Sequence, residues 1–94
     1  MNFSEALDLI KKGAKMQRAG WPKDVFVFLV PGSEFEVNRH PLNLWFKMGE
    51  KVKYSPHIDV CIGKNVSVWD AQTMDILGED WEIHGRFTLD RKAG

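Results

Sequence analysis

The run Val25-Phe26-Val27-Phe28-Leu29-Val30 constrains this chain more than any other segment. A strand that buries a single face alternates apolar with polar residues; this one does not alternate, so both of its faces require cover. The chain has 94 residues, enough for one domain. A domain of that size removes only about 60 to 65% of its unfolded surface from water, so its core is thin. Phe3, Ala6, Leu7 and Ile10 recur at i, i+3, i+4 and i+7 and predict one strong helix, which can cover one face of a sheet. The second face is expected to meet another subunit. The alternative is that the loop from His40 to Met48 folds over it, with Leu42, Leu44, Trp45 and Phe46 as the cover.

The helix has readable ends. Asn2 and Glu5 stand where an N-cap and its capping-box partner stand, Lys11 and Lys12 complement the negative C-terminal end, and Gly13 supplies the left-handed stop. Ala14 to Arg18 is extended, Ala19-Gly20-Trp21-Pro22 punctuates the chain, and Val25 to Val30 completes a hairpin. Glu34 to Val37 alternates like a strand, and Pro41 and Gly49 bracket an aromatic-rich connection expected to be mobile. Ile58, Val60 and Ile62 share one face of a strand, Gly63-Lys64-Asn65 forms a tight turn, and Val66 to Trp69 alternates back, giving a second hairpin. Asp70 is expected to cap a helical turn running to Leu77, Gly78 breaks it, and Trp81-Glu82-Ile83 forms a last strand. The fold class is therefore α+β: an N-terminal helix on a small, mainly antiparallel sheet, with a short helical turn before the last strand. Residues 1–94 read as a single domain, with a core over 1–85 and a tail over 86–94.

Charge and composition exclude several functions. Thirteen basic residues cancel thirteen acidic ones, so no long-range positive field draws the protein onto a nucleic acid polymer. A 44% hydrophobic fraction is far from the composition that keeps chains disordered. The charged Met1-to-Lys15 segment has neither a signal-peptide apolar run nor a membrane span, and Cys61 is the single cysteine, which together point to the cytoplasm.

Catalytic and metal chemistry finds little purchase. His57 and Cys61 share one strand face, but four residues along a strand span about 13 Å, too far for one ion. Asp59 lies between them, and a flat row of side chains is not expected to converge into a nucleophilic triad. His40 and His84 read as solvated imidazoles. Glu79 and Asp80 read as turn and capping residues without an apolar pocket to tune either for acid catalysis. No phosphate loop is present. Neither an enzyme nor a cofactor is implied.

Two groups of side chains are better suited to binding. Arg18 shares parity with Ala14 and Met16, so a strand here aims its guanidinium toward the apolar side, where it needs an anion. That anion is either a partner such as Glu79, Asp80 or a backbone carbonyl, or a ligand phosphate. Trp21 and Trp69 each stand beside a turn or element boundary, where an indole is either core or half exposed and free to stack on a planar base.

Met1-Asn2-Phe3-Ser4-Glu5-Ala6-Leu7, Gly13-Ala14-Lys15, Arg18-Ala19-Gly20-Trp21, then Trp69 and Asp75-Ile76-Leu77-Gly78-Glu79-Asp80-Trp81, taken in order, resemble the Tad2-like phage family. Pro56-His57-Ile58 resembles the start of that family's third strand, whereas Glu34 to Tyr54 has no counterpart. The resemblance implies a homo-oligomer, a tetramer, that sequesters cyclic nucleotide immune signals without cleaving them in the cytoplasm of the infected bacterium. Its ligands would be cyclised ADP-ribose isomers of the kind used by Thoeris defence, with cyclic dinucleotides in some members. On this reading Arg18 neutralises phosphate, Trp21 and Trp69 stack on bases, and Asp70, Gln72, Thr73 and Asp75 supply hydrogen bonds. Many relatives have a Ser-Gln-Thr-Asp run here; this chain has Gln72-Thr73-Met74-Asp75 behind Asp70-Ala71. Two other readings are an oligomeric structural or host-interaction protein docking through Leu42 to Phe46, and a nucleotide hydrolase in which Asp70 or Asp75 activates water.

Overall fold

In a computed structural model, residues 1–87 are described. Positions 88–94 of the expected tail lie outside them. The helix forms as read: α1 spans Phe3–Lys11, the Asn2 side chain accepts from the Glu5 amide at 2.9 Å, and the Glu5 carboxylate accepts from the Asn2 amide at 3.1 Å. Gly13 turns the chain away with φ of +104°, a conformation that side chains disfavour.

Seven strands follow. β1 is Met16–Arg18, β2 Val25–Val30, β3 Ser33–Glu36, β4 Lys51–Tyr54, β5 His57–Ile62, β6 Asn65–Val68 and β7 Trp81–Ile83; a four-residue helix, α2, spans Thr73–Ile76. Five strands form one antiparallel sheet in the order β6-β5-β2-β1-β7, so the apolar strand β2 is its centre. Residues paired across a ladder share a face. Met16 pairs with Val27 on one side and Ile83 on the other, and Val27 pairs with Val60. This row lies under α1. Ala6, Ile10, Ala14, Met16, Val27 and Trp81 are buried together, with Phe3, Leu9, Leu29, Ile58 and Val60 packed against them.

The opposite face carries Phe26, Phe28 and Val30 of β2 with His57, Asp59 and Cys61 of β5 and Val66 and Val68 of β6. Among the described residues no helix covers it as α1 covers the first. The loop weighed as its cover forms a 3-10 turn at Leu42–Leu44, and Leu44, Trp45 and Met48 are 63, 71 and 62% exposed. Val66 and Val68 are likewise exposed.

β3 and β4 make a separate two-stranded ribbon, from Ser33↔Tyr54 to Glu36↔Lys51. Reading the region as one strand and a connection missed β4, although Lys51-Val52-Lys53-Tyr54 alternates. Its lysines and single buried-type position made a weak signal. The ribbon gives the molecule extents of 46 × 30 × 23 Å and a radius of gyration of 16.1 Å, against about 12 Å for a compact chain of this length. A lone two-stranded ribbon is marginal in water. At its tip Val37 is buried, and its amide donates to Glu50 O while its carbonyl accepts from Gly49 N, both at 2.8 Å.

Two local expectations are corrected. α2 is capped by Gln72 rather than Asp70: the Gln72 amide donates to the Asp75 carboxylate at 3.4 Å, while Asp70 offers only its carbonyl to the Gln72 side chain. His84 is not a solvated imidazole. Its ring lies 4.5 Å from that of Phe26, and Nε2 donates to Lys23 O at 2.7 Å.

Candidate functional site

Arg18 ends β1 directly opposite Trp81 of β7, on the same face as the core. At the N-terminal end of α1 that face is closed by aromatic rings. Trp81, 2% exposed, meets Trp21 edge-on at 5.3 Å, Trp69 edge-on at 5.9 Å and Phe3 at 5.4 Å. Its indole N–H donates to Asp75 O at 2.8 Å, which hangs α2 from the sheet. A helix of four residues has no stability of its own, so such anchors fix it.

Arg18 is the second anchor. Nε donates to Asp80 Oδ1 at 2.8 Å, and Nη1 donates to Asp75 Oδ1 at 3.2 Å and to Met74 O at 3.1 Å. Of the two anions left open by the sequence, the structure supplies the protein's own: Asp80, not Glu79, together with Asp75 and a carbonyl. Asp80 is therefore more than a turn residue. Its hydrogen bond, followed by that of Asp75, holds Arg18 above the usual guanidinium range, and the Arg18 hydrogen bond holds Asp80 below the usual carboxylate range.

Gly78 makes this packing possible. A methyl group there would stand 2.7 Å from Arg18 Cζ and 2.8 Å from Nε and Nη2, so the backbone of Gly78 lies flat against the guanidinium. Helix termination, the role legible in the sequence, is the lesser part of what Gly78 does. Gly78→Ala is expected to displace the guanidinium and return Asp80 toward an ordinary carboxylate value, followed by NMR titration of its carboxyl carbon.

The pair also gives the protein an acid-sensitive element. Because the folded value of Asp80 is depressed, the stability it contributes is fully present above the unfolded value of about 3.9 and is lost as pH falls through the folded value. Arg18→Ala should flatten the fall in stability below about pH 4, measured by urea unfolding at stepped pH. An unchanged slope would show that the pair contributes nothing.

The structure thus brings Arg18, Trp21, Trp69 and Asp75 together around Trp81. Asp70, Gln72 and Thr73 lie exposed on the segment leading from Trp69 into α2. Trp21 and Trp69 are half-buried: one part of each indole packs on the core and the rest is accessible. Sequence reasoning missed Trp81 and Gly78 as organisers, although both stand in the Asp75-to-Trp81 block. Three cavities lie elsewhere: about 400 Å³ between Gly32 and Pro56 at the base of the ribbon, about 380 Å³ between Phe35 and Leu42 at its tip, and about 570 Å³ beside Met1, Glu5 and Asp8. None of the three is lined by Arg18, Trp21 or Trp69.

His57 and Asp59 do converge, contrary to the flat row expected, with Nε2 and Oδ1 3.3 Å apart. Cys61 does not join them, because its thiol turns to Gly63 O at 3.3 Å. No group of three or more metal-ligating side chains stands together among the described residues, and no helix among them is long and apolar enough to cross a membrane.

A helix-backed antiparallel sheet whose last strand, through Trp81, and first strand, through Arg18, together hold a short helix is the architecture over which a family match runs. Residues 1–84 match the Thoeris anti-defense 2-like domain, and the chain belongs to this Tad2-like family. Among curated proteins it is similar to Thoeris anti-defense 2 of Bacillus phage SP01, 28% identical over 88 residues, which cover 88% of this chain and 93% of that protein. The family is one of phage anti-defence proteins.

Proposed function

We propose that the protein binds cyclic nucleotide immune signals, cyclic ADP-ribose isomers first and cyclic dinucleotides second, and sequesters them intact as a homo-oligomer in the cytoplasm of the infected host. The observation that carries this reading is the pair of half-buried indoles, Trp21 and Trp69, flanking one buried tryptophan in a member of an anti-defence family. Each indole is backed by the core and keeps an accessible part, the arrangement that lets a planar base stack without ordering a free side chain. The exposed polar groups of Asp70, Gln72 and Thr73 lie next along the chain and are placed to take ribose or phosphate hydrogen bonds.

Arg18 has a different part in this reading from the one its sequence position suggests. Its charge is already met by Asp75 and Asp80. It holds α2 in place, and a ligand phosphate would find here a guanidinium already paired with two carboxylates rather than a free cation. The three cavities described above lie away from the two indoles, and on this reading the ligand pocket forms at the junction of two copies, where a base and its phosphates can both be enclosed. A sequestering protein competes with an effector by mass action, which favours such enclosure.

The test is direct. Purified protein is incubated with cyclic ADP-ribose isomers and cyclic dinucleotides, freed of unbound ligand by filtration and heat-denatured, and the released molecules are identified by mass spectrometry. Intact ligand is expected. Altered ligand would make the protein a hydrolase, and no retained ligand of either class would remove the reading.

A second reading has an observation of its own. Leu44, Trp45 and Met48 project from the ribbon, exposed, with Phe46 beside them. If the chain is a host-interaction protein, Trp45→Ala with Phe46→Ala abolishes partner capture and spares nucleotide retention.

A further inference from the structure

The tip of the ribbon is apolar, cationic and prominent at once. Residues 44–48 run Leu-Trp-Phe-Lys-Met, and Leu44, Trp45 and Met48 are 63, 71 and 62% exposed, with Phe46 at 38%. The 3-10 turn over Leu42–Leu44 holds them: the Trp45 and Phe46 amides both donate to Leu42 O at 3.0 Å. From Asn38 to Gly49 the chain carries Arg39, His40 and Lys47 and no carboxylate. Glu50 follows, its carboxylate engaged by the Lys47 amide at 3.0 Å. Among the described residues neither Arg39 nor Lys47 forms an ion pair. The cavity of about 380 Å³ at this tip is lined by Asn38, Arg39 and His40 between Phe35 and Leu42. Glu36 is the one carboxylate in that lining, and it pairs with Lys51 across the ribbon.

We propose that the ribbon tip docks on an anionic lipid bilayer, with Leu44, Trp45 and Met48 entering the interface and Arg39 and Lys47 meeting lipid phosphates. The cavity beside Arg39 and His40 receives one headgroup phosphate. Each part has its own physical reason. An indole favours the headgroup level, where one edge is apolar and the other wet, and leucine and methionine reach the acyl boundary beside it. Cations flanking such a wedge are drawn by the negative surface potential of an anionic leaflet, and a carboxylate among them would oppose it. A host protein on the same tip would have to supply an apolar pocket ringed by carboxylates and shaped to three projecting side chains. A bilayer meets the apolar and the anionic requirement with no shape to match. The ribbon, which lengthens the molecule to 46 Å, carries the tip away from the tryptophan cluster, so docking leaves that cluster accessible. The contact is peripheral and reversible, as a few apolar side chains and cations give.

The inference does not rest on nucleotide binding, and its test uses the full chain without nucleotide. The protein is floated with vesicles of equal parts phosphatidylglycerol and phosphatidylethanolamine, and separately with vesicles of phosphatidylcholine alone. Flotation with the anionic vesicles is expected, weaker with the neutral ones and falling as salt is raised. Trp45→Ala should weaken partitioning by roughly tenfold, and Arg39→Gln and Lys47→Gln each by roughly fivefold. Lys11→Gln, the same charge change on α1, should leave it unchanged. Brominated acyl chains should quench tryptophan emission in the unmodified protein. They should not do so in Trp45→Phe, which keeps a ring at the tip and leaves only the tryptophans around the core. Circular dichroism establishes that each variant is folded. No flotation with anionic vesicles overturns the proposal and returns the tip to the host-protein reading. Equal flotation with neutral vesicles, undiminished flotation of Trp45→Ala, or quenching that persists in Trp45→Phe overturns it as well. So does a lower sedimentation mass of folded Trp45→Ala without vesicles, which would assign the tip to a contact between copies.

Discussion

Replacing Trp81 with alanine is expected to lower stability by about 3–5 kcal/mol, the cost of removing a large aromatic side chain from a core. Four features converge on this residue. It is 2% exposed, it touches the rings of Phe3, Trp21 and Trp69, it pairs with Arg18 across the sheet, and its indole N–H holds the Asp75 carbonyl. In a 94-residue chain with a thin core, such a loss consumes much of a typical total of about 5–15 kcal/mol. Urea unfolding followed by far-ultraviolet circular dichroism measures it. Trp81→Phe separates the parts: it keeps most of the apolar bulk but leaves the Asp75 carbonyl without its donor, at a cost of about 1–3 kcal/mol. A loss below about 1 kcal/mol for Trp81→Ala would show that the ring cluster is not the keystone of this end of the core.

The second large effect belongs to the proposed ligand. Trp21→Ala and Trp69→Ala should each weaken retention of an adenine-containing cyclic nucleotide by about 1–3 kcal/mol, the worth of one stacked base. That corresponds to roughly fivefold to 150-fold in affinity by titration calorimetry. Trp21→Phe should recover part of the loss, since a smaller ring still stacks. Equal affinity in both alanine variants, with the fold intact, would place the base elsewhere. Arg18→Ala belongs to a different class: its effect on binding should scale with the displacement of α2, visible as changed amide shifts from Thr73 to Ile76, rather than with the loss of a phosphate contact.

Much of the architecture could be read from local patterns because those patterns have local causes. The Asn2–Glu5 capping box, the left-handed Gly13 and the two-residue Gly63-Lys64 turn each act within a few residues and behave in the structure as their chemistry requires. The unalternating strand Val25–Val30 lies at the centre of the sheet, with one face under α1. What the sequence did not disclose was made by distant encounters. Arg18 offered a cation without saying which anion would come; Asp80 reaches it across 62 positions. Gly78 looked like a helix stop, and its contact with the guanidinium exists only once β1 and the segment before β7 are side by side. His57 and Asp59 were assigned to a flat row because strand geometry fixes Cβ positions, while side chains long enough to lean can still meet. The second strand of the ribbon was lost because its lysines resemble a solvated loop.

The ribbon leaves the sheet at Val30 and returns at His57, and these two residues are register partners. Everything between them therefore begins and ends at a single rung of the β2–β5 ladder, as a long hairpin loop would. Such an excursion can change length or sequence without altering the spacing of any strand in the sheet, because the rung closes regardless. Doubling it costs only about 0.6 kcal/mol in loop closure. The chain is in this sense modular: the scaffold that carries α1, the tryptophan cluster and α2 is built without the 26 residues from Pro31 to Pro56, and a lineage under pressure to meet new partners has there a stretch it can exchange freely.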